Sequence, residues 1–170
     1  MEKSKKRLIL WGIILISLLE FYALFRLNRR YHGVHSGSYF TTMIIMQIVI
    51  WYLFLFKERR SSRRNRVALL FILLVTISTP ILMLTTQPSY SYEEGKEIIM
   101  NSSEIETNYN IVAVPEGRST VPVMENPSNS MNIFINNRVY HYQLSDGTEE
   151  MFLLVHPFTG EIVELEESFF

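Results

Sequence analysis

The pattern of apolar and polar residues divides the chain into two halves. Three long apolar runs, nearly free of charge, fill the first half, whereas the second half is polar and acidic. About 18 helical residues cover about 27 Å, which is close to the thickness of the hydrocarbon core of a bilayer. The pattern therefore predicts a membrane region over residues 1–86, with transmembrane spans at about 8–26, 39–56 and 67–86.

The basic residues predict how these spans are oriented. Residues 1–7 and 57–66 together hold ten lysines and arginines, whereas the stretch 26–39 holds three. Short segments rich in lysine and arginine stay on the cytoplasmic side of a membrane. The N-terminus and the 57–66 loop are therefore expected inside, and the 27–39 loop and the residues after Gln87 outside. Because basic residues are attracted to anionic headgroups, the 57–66 loop is also expected to contact membrane lipid.

The second half carries the signals of a small mixed domain. Ser91 followed by Glu94 forms a capping box, which predicts a helix from Ser91 to about Ser102. The prolines between residues 115 and 130 predict an irregular stretch. Apolar runs, one of them strictly alternating, predict strands at Tyr109–Val114, Met131–Ile135, Arg138–Ser145, Met151–His156 and Glu161–Leu165.

Turn-forming residues join the later strands of this domain. Asn136-Asn137 suits a two-residue hairpin, Asp146-Gly147 suits a second one, and residues 157–160 suit a turn. A helix followed by successive antiparallel strands gives an α+β domain in which the helix covers one sheet face. The predicted fold class is three transmembrane α-helices plus a small extracytoplasmic α+β domain over residues 91–168, with one helix on an antiparallel meander sheet.

Two parts of this domain resemble PepSY domains. Residues 91–98, Ser-Tyr-Glu-Glu-Gly-Lys-Glu-Ile, are similar to the opening helix of that family, although Gly95 stands where the family usually has alanine. Residues 139–165 are similar to its terminal hairpin. The matching motifs there are Tyr140-His141-Tyr142, Asp146-Gly147 and Thr159-Gly160. The resemblance implies a non-catalytic extracytoplasmic module, as in peptidase propeptides and in membrane proteins that regulate proteases or envelope processes.

Three polar residues inside the predicted spans are candidate intramembrane contacts. Glu20 in the first span is a functional candidate by default, because a carboxylate in hydrocarbon is costly. Alternatively, it extends towards the interface or takes up a proton. Gln47 in the second span is expected to hydrogen-bond another helix. Thr76 in the third span precedes Pro80, and its hydroxyl can satisfy a backbone group that the proline frees.

The residues that usually carry metal or active-site chemistry do not form a motif in this chain. It has no cysteine, which excludes disulfides and zinc–thiolate sites. His32 and His35 have a spacing that is found in metal sites. His141 and His156 occupy strand positions, where a histidine usually has a packing role. Catalytic-triad, phosphate-loop and metalloprotease patterns are missing from the sequence. We therefore expect no enzyme activity, no metal and no cofactor.

The charge of the second half of the chain bears on which kind of partner it can bind. From residue 87 onwards the chain carries fourteen acids and three basic residues, which disfavours nucleic acid as a ligand. Such an excess of acids serves solubility and protects sheet edges from pairing, or it forms a docking surface for a basic partner.

Two functional hypotheses follow from the sequence. In the first, a bacterial multi-pass plasma-membrane protein presents its PepSY-like domain outside and binds or regulates another envelope protein, such as a protease. Its candidate binding face contains Tyr140, Tyr142 and His141. In the alternative, the chain is a small accessory or immunity-type subunit of a membrane transporter complex and works through its transmembrane helices, with Glu20 and Gln47 as contacts.

Overall fold

The computed structural model describes residues 3–56, 62–102, 109–123 and 134–170. The chain forms two compact units. The helical unit consists of Met1–Arg26 and Gly37–Thr86, and the sheet unit consists of Leu27–Ser36 and Gln87–Phe170. Leu27–Ser36 belong to the loop that the sequence predicts between the first two spans, and they pack within the sheet unit.

The helical unit is built from the three apolar helices that the sequence predicts, although the last four residues of the first helix, Leu27–Arg30, belong to the sheet unit. The helices are α1 (Lys3–Arg30), α2 (Gly37–Phe56) and α3 (Ser62–Thr85). All three are long and apolar enough to cross a membrane. Helix α1 extends past the predicted span at both ends, because lysine and arginine are good helix formers and continue the helix beyond its apolar part. Ile13, Trp51, Leu55 and Ile72 form the buried apolar cluster of this unit.

Helix α4 (Tyr92–Met100) begins as the capping box predicts. The Oγ of Ser91 accepts from the backbone N–H of Glu94 at 3.3 Å, and the Oε2 of Glu94 accepts from the backbone N–H of Ser91 at 2.6 Å. These two bonds satisfy backbone donors that the first turn of a helix leaves unpaired. The helix ends two residues earlier than predicted.

The sheet is antiparallel and centred on one long strand. Its strands are β1 (Asn110–Val112), β2 (Thr120–Pro122), β3 (Arg138–Ser145), β4 (Glu150–Val155) and β5 (Ile162–Leu165). Strands β1 and β2 both pair with one edge of β3, β4 pairs with its other edge, and β5 pairs with β4. The hairpin at Asp146-Gly147 and the turn before β5 are present as predicted, with Gly147 and Gly160 at positive φ.

The middle of the domain is only partly described by the structure. The stretch predicted as irregular contains a 3-10 turn at Glu116–Arg118 and strand β2, and its residues 124–130 lie outside the described residues. Of the strand predicted at 131–135, residues 131–133 also lie outside them, and Ile135 forms a single bridge with His35. Most of the strand that would precede the predicted hairpin at Asn136-Asn137 lies outside the described residues, and β2 pairs with the start of β3.

Candidate functional site

The binding face predicted at Tyr140 and Tyr142 lies in the core of the sheet unit. Both side chains are 0 % exposed. The Tyr140 hydroxyl donates to the carbonyl of Tyr90 at 2.9 Å, and the Tyr142 hydroxyl donates to the carbonyl of Tyr92 at 2.7 Å. Burial raises the pKa of both phenols well above the ordinary range. These tyrosines join the sheet to the start of α4, so they cannot serve as an exposed contact surface.

His141 points to the opposite side of β3 but is also buried, at 2 % exposure. Its Nδ1 lies 3.2 Å from the carbonyl of Arg118, so Nδ1 carries the hydrogen and donates it. Its ring stacks on Phe152 and meets the edge of Phe170, at centroid distances of 6.2 and 5.5 Å. Burial lowers the pKa of His141 and favours the neutral ring. The third predicted binding residue is therefore also a packing residue.

The two histidines of the Leu27–Ser36 segment take part in the fold of the sheet unit. The ring of His32 stacks on Tyr92 at a centroid distance of 4.2 Å, and its Nδ1 lies 2.7 Å from the Oγ of Ser119. His35 is buried and bridges to Ile135. Among the described residues, no group of three or more histidines, acids or cysteines could hold a metal ion.

Part of the apolar surface of the sheet unit lies on β4 and β5, and other exposed apolar residues are Met100, Val112, Phe169 and Phe170. The pairing places Leu154 beside Val163 and Phe152 beside Leu165, on the face away from α4. Val163 is 50 % exposed, and the other three are half-buried. We call Phe152, Leu154, Val163 and Leu165 the outer sheet surface. The sequence pattern did not single it out, because a strand covered on one face and a strand covered on both look alike over so few residues.

Strand β5 is an edge strand. It pairs with β4, and no other strand in the described part of the chain pairs with its outer edge. Every second residue of an edge strand presents its backbone N–H and C=O groups for pairing with another chain. The outer sheet surface therefore ends at an open row of backbone hydrogen-bonding groups.

Acidic side chains surround this edge. From residue 134 to the last residue, the chain holds seven acids and one arginine. Six of the acids are exposed on or beside β4 and β5: Glu149, Glu150, Glu161, Glu164, Glu166 and Glu167. An apolar surface, an open edge and a negative rim thus occur together. The edge of β5 can pair with the backbone of an extended segment, and the glutamates can attract basic side chains of that segment.

The polar residues predicted in the spans pair within the helical unit. The Nε2 of Gln47 donates to the Oε2 of Glu20 at 3.1 Å and lies 3.3 Å from the Oγ of Ser17. Gln47 thus contacts another helix, as the sequence predicts. The Oγ1 of Thr76 donates to the carbonyl of Ile72 and accepts from the Nε1 of Trp51, both at 2.9 Å. The role of Trp51 as a donor between α2 and α3 was missed, because an aromatic residue in a span predicts only an interfacial position.

No family model, no curated protein and no solved structure matches this chain. Any proposal on function therefore depends on structural features of the chain itself, such as the outer sheet surface with its acidic rim and the polar residues of the three apolar helices.

Proposed function

We propose that this chain is a multi-pass plasma-membrane protein whose sheet unit lies outside the cytoplasm and binds an extended, basic segment of another envelope protein. The observation that carries this proposal is the outer edge of β5, which no described strand pairs with, beside the outer sheet surface and its acidic rim. A segment that adds a strand to β5 would gain backbone hydrogen bonds, while its alternate side chains meet Val163 and the neighbouring glutamates.

The character of the three long helices supports the membrane part of the proposal. Large apolar side chains on all three are exposed to the surroundings, such as Leu15 on α1, Leu53 on α2 and Leu74 on α3. Lipid accommodates such surfaces, whereas water does not. The sheet unit also combines Leu27–Ser36 with Gln87–Phe170. Helices α2 and α3 lie between these segments in the sequence, so if both helices cross the membrane, the two segments are on the same side of it.

The asymmetry of basic residues supports the orientation, and introduced cysteines can test it, because the chain has none of its own. Met100→Cys changes an exposed residue of α4, and Lys5→Cys changes a residue near the start of α1. In intact cells, a membrane-impermeant maleimide should label Met100→Cys, and it should label Lys5→Cys only after lysis. The opposite pattern would place the sheet unit in the cytoplasm.

Peptide binding tests the docking surface directly. The full-length protein in lipid nanodiscs should bind a short peptide of alternating lysine and valine, and binding should weaken as salt is added. The same peptide methylated at alternate backbone nitrogens keeps its charge but loses ladder donors, so its binding should be much weaker. Equal binding of both peptides would mean that charge alone attracts them and would contradict strand addition.

Charge-reversal variants of the protein test whether the basic peptide binds at the edge of β5. Glu164→Lys combined with Glu166→Lys reverses charge on and just after β5, and it should abolish binding of the basic peptide. The matched control Glu93→Lys combined with Glu97→Lys reverses two exposed charges on α4 and should leave binding largely intact. Equal loss in both variants would assign the attraction to net charge and not to this edge.

The PepSY relationship and the regulation of a protease stay predictions from the resemblance. The alternative function, an accessory subunit that works through its helices, has less support in the structure. Glu20 and Gln47 hydrogen-bond each other within this chain, and Thr76 bonds to Trp51. These hydrogen bonds are made between helices of this chain, so they do not themselves require a second membrane protein.

A further inference from the structure

Two oxygen atoms in the helical unit are buried with no hydrogen-bond partner among the described residues. They are the Oε1 of Glu20 and the Oε1 of Gln47. Both residues are deeply buried, at 7 % and 1 % exposure, and so is Ser17 at 1 %. The other oxygen of Glu20, Oε2, accepts from the Nε2 of Gln47 at 3.1 Å. A carboxyl group and an amide thus share one hydrogen bond, and each keeps one unpaired oxygen.

The apolar stretches of the three helices contain no positive charge that could balance an ionised Glu20. Residues 8–25, helix α2 and residues 67–85 contain no lysine, arginine or histidine. The other titratable side chains of these stretches are the tyrosines at 22, 39 and 52, all exposed. The nearest basic residue along α1 is Arg26, about 9 Å away along the axis at about 1.5 Å per residue. An isolated carboxylate in such surroundings is strongly disfavoured.

We propose that Glu20 is a proton-binding site and that its proton joins the two unpaired oxygens. A proton taken from water binds to Oε1 of Glu20, and the side chain becomes a neutral carboxylic acid. The acid then donates from Oε1 to the Oε1 of Gln47, while the Nε2 of Gln47 donates to Oε2 of Glu20. The two groups form a cyclic pair with two hydrogen bonds, which satisfies both oxygens.

The ligand of this site is a proton, and the site links α1 to α2. With the proton bound, the pair is neutral and suited to the interior of a membrane. Without it, a carboxylate oxygen and an amide oxygen are left without donors, so one of the two bonds between the helices is lost. This inference concerns the helical unit and holds whether or not the sheet unit binds a peptide.

Infrared spectroscopy of the full-length protein in lipid nanodiscs tests the proposal. At neutral pH the exposed carboxyl groups are ionised, so a protonated carboxyl C=O band should come from Glu20. The band should be absent in Glu20→Gln and unchanged in the control Glu94→Gln, which removes a carboxyl of the sheet unit with a lowered pKa. A wild-type spectrum without this band would overturn the proposal.

A second variant tests the pairing itself and does not depend on how well Glu20→Gln folds. Gln47→Leu removes the amide but keeps the carboxyl group. The C=O band should remain and move to higher frequency, because the acid loses both of its hydrogen bonds to the amide. A band at an unchanged frequency would show that Glu20 does not pair with Gln47.

A metal cation is the rival ligand for two buried oxygens, and the same samples discriminate it. If Glu20 holds a proton, replacing choline chloride by sodium chloride should leave the melting temperatures of the wild type and of Glu20→Gln equally unaffected. Stabilisation of the wild type alone by sodium would assign the site to a monovalent cation and overturn the proposal.

Discussion

Gly95 in α4 and Tyr142 in β3 approach so closely that a side chain at residue 95 would overlap the tyrosine hydroxyl. That hydroxyl donates to the carbonyl of Tyr92 at 2.7 Å, within the first turn of the same helix. The glycine thus creates the space in which the tyrosine bonds to the helix backbone. This contact explains why a glycine, and not a larger residue, occupies this position of α4.

We expect Gly95→Ala to destabilise the sheet unit by about 1–3 kcal/mol, the usual cost of forcing an extra carbon into a packed core. The loss should appear even though alanine favours a helix by about 1 kcal/mol over glycine. Hydrogen exchange of the β3 amides in the full-length protein measures it. Gly117→Ala is the control, because a Cβ there meets no atom within 4 Å.

A double-mutant cycle identifies the cause of this loss. Tyr142→Phe removes the hydroxyl and its hydrogen bond to Tyr92, at a cost of about 1 kcal/mol. In that background Gly95→Ala should be much less harmful, because its Cβ no longer meets the oxygen. Additive effects of the two substitutions would contradict the proposed overlap.

Local signals explain what could be predicted from the sequence. The capping box at Ser91 and Glu94, the apolar runs and the Asp146-Gly147 hairpin depend on residues close together in the chain, and all three are present in the structure. Alternation also placed Tyr140 and Tyr142 on one face of β3. It could not show that α4 covers that face, so the same tyrosines were assigned to an exposed binding surface.

Contacts between distant residues explain what could not be predicted. The segment Leu27–Ser36 joins the sheet unit through residues far along the chain: His32 contacts Ser119 across 87 positions, and Asn136 donates to Gly33 across 103. Strand β2 has three residues and ends in Pro122, so its sequence carries no strand pattern. The outer sheet surface likewise depends on which distant parts of the chain cover β4 and β5. Local sequence patterns do not show this.

His32 should be important for holding the Leu27–Ser36 segment in the sheet unit. We expect His32→Ala to destabilise the unit by about 1–2 kcal/mol, through loss of stacking on Tyr92 and of the hydrogen bond with Ser119. Its backbone has a φ of +47°, which asparagine tolerates better than alanine. His32→Asn should therefore be less harmful in a urea titration of the full-length protein. Equal losses of stability in His32→Ala and His32→Asn would mean that the backbone conformation at residue 32 does not contribute.

Thr76 should contribute to the association of α2 with α3. Thr76→Val keeps the shape of the side chain but removes the acceptor for the Nε1 of Trp51, and we expect a loss of about 0.6 kcal/mol in lipid. Ser78→Ala is the control, since that hydroxyl donates within its own helix, to the carbonyl of Val75. Trp51 fluorescence should shift in the first variant and not in the second. A shift of equal size in both would argue against the Trp51–Thr76 bond.

His141 should make the sheet unit less stable in mildly acidic solution. Burial lowers the pKa of its ring in the folded protein below the ordinary value of 6.5. Below that value the unfolded chain takes up a proton that the folded chain does not, so the free energy of unfolding decreases as the pH falls. Glu94 acts at lower pH, because its stabilising charge is lost only as the pH falls through its lowered pKa.

Two variants separate the titration of His141 from its packing. His141→Asn keeps a side-chain donor near the carbonyl of Arg118, and His141→Phe keeps a ring against Phe152, but neither takes up a proton. Both should flatten the decline of the urea midpoint between about pH 7 and about pH 5, even if their midpoints at neutral pH differ. Tyrosine circular dichroism of the full-length protein can follow the transition. A decline as steep as that of the wild type in both variants would assign the acid sensitivity to other groups.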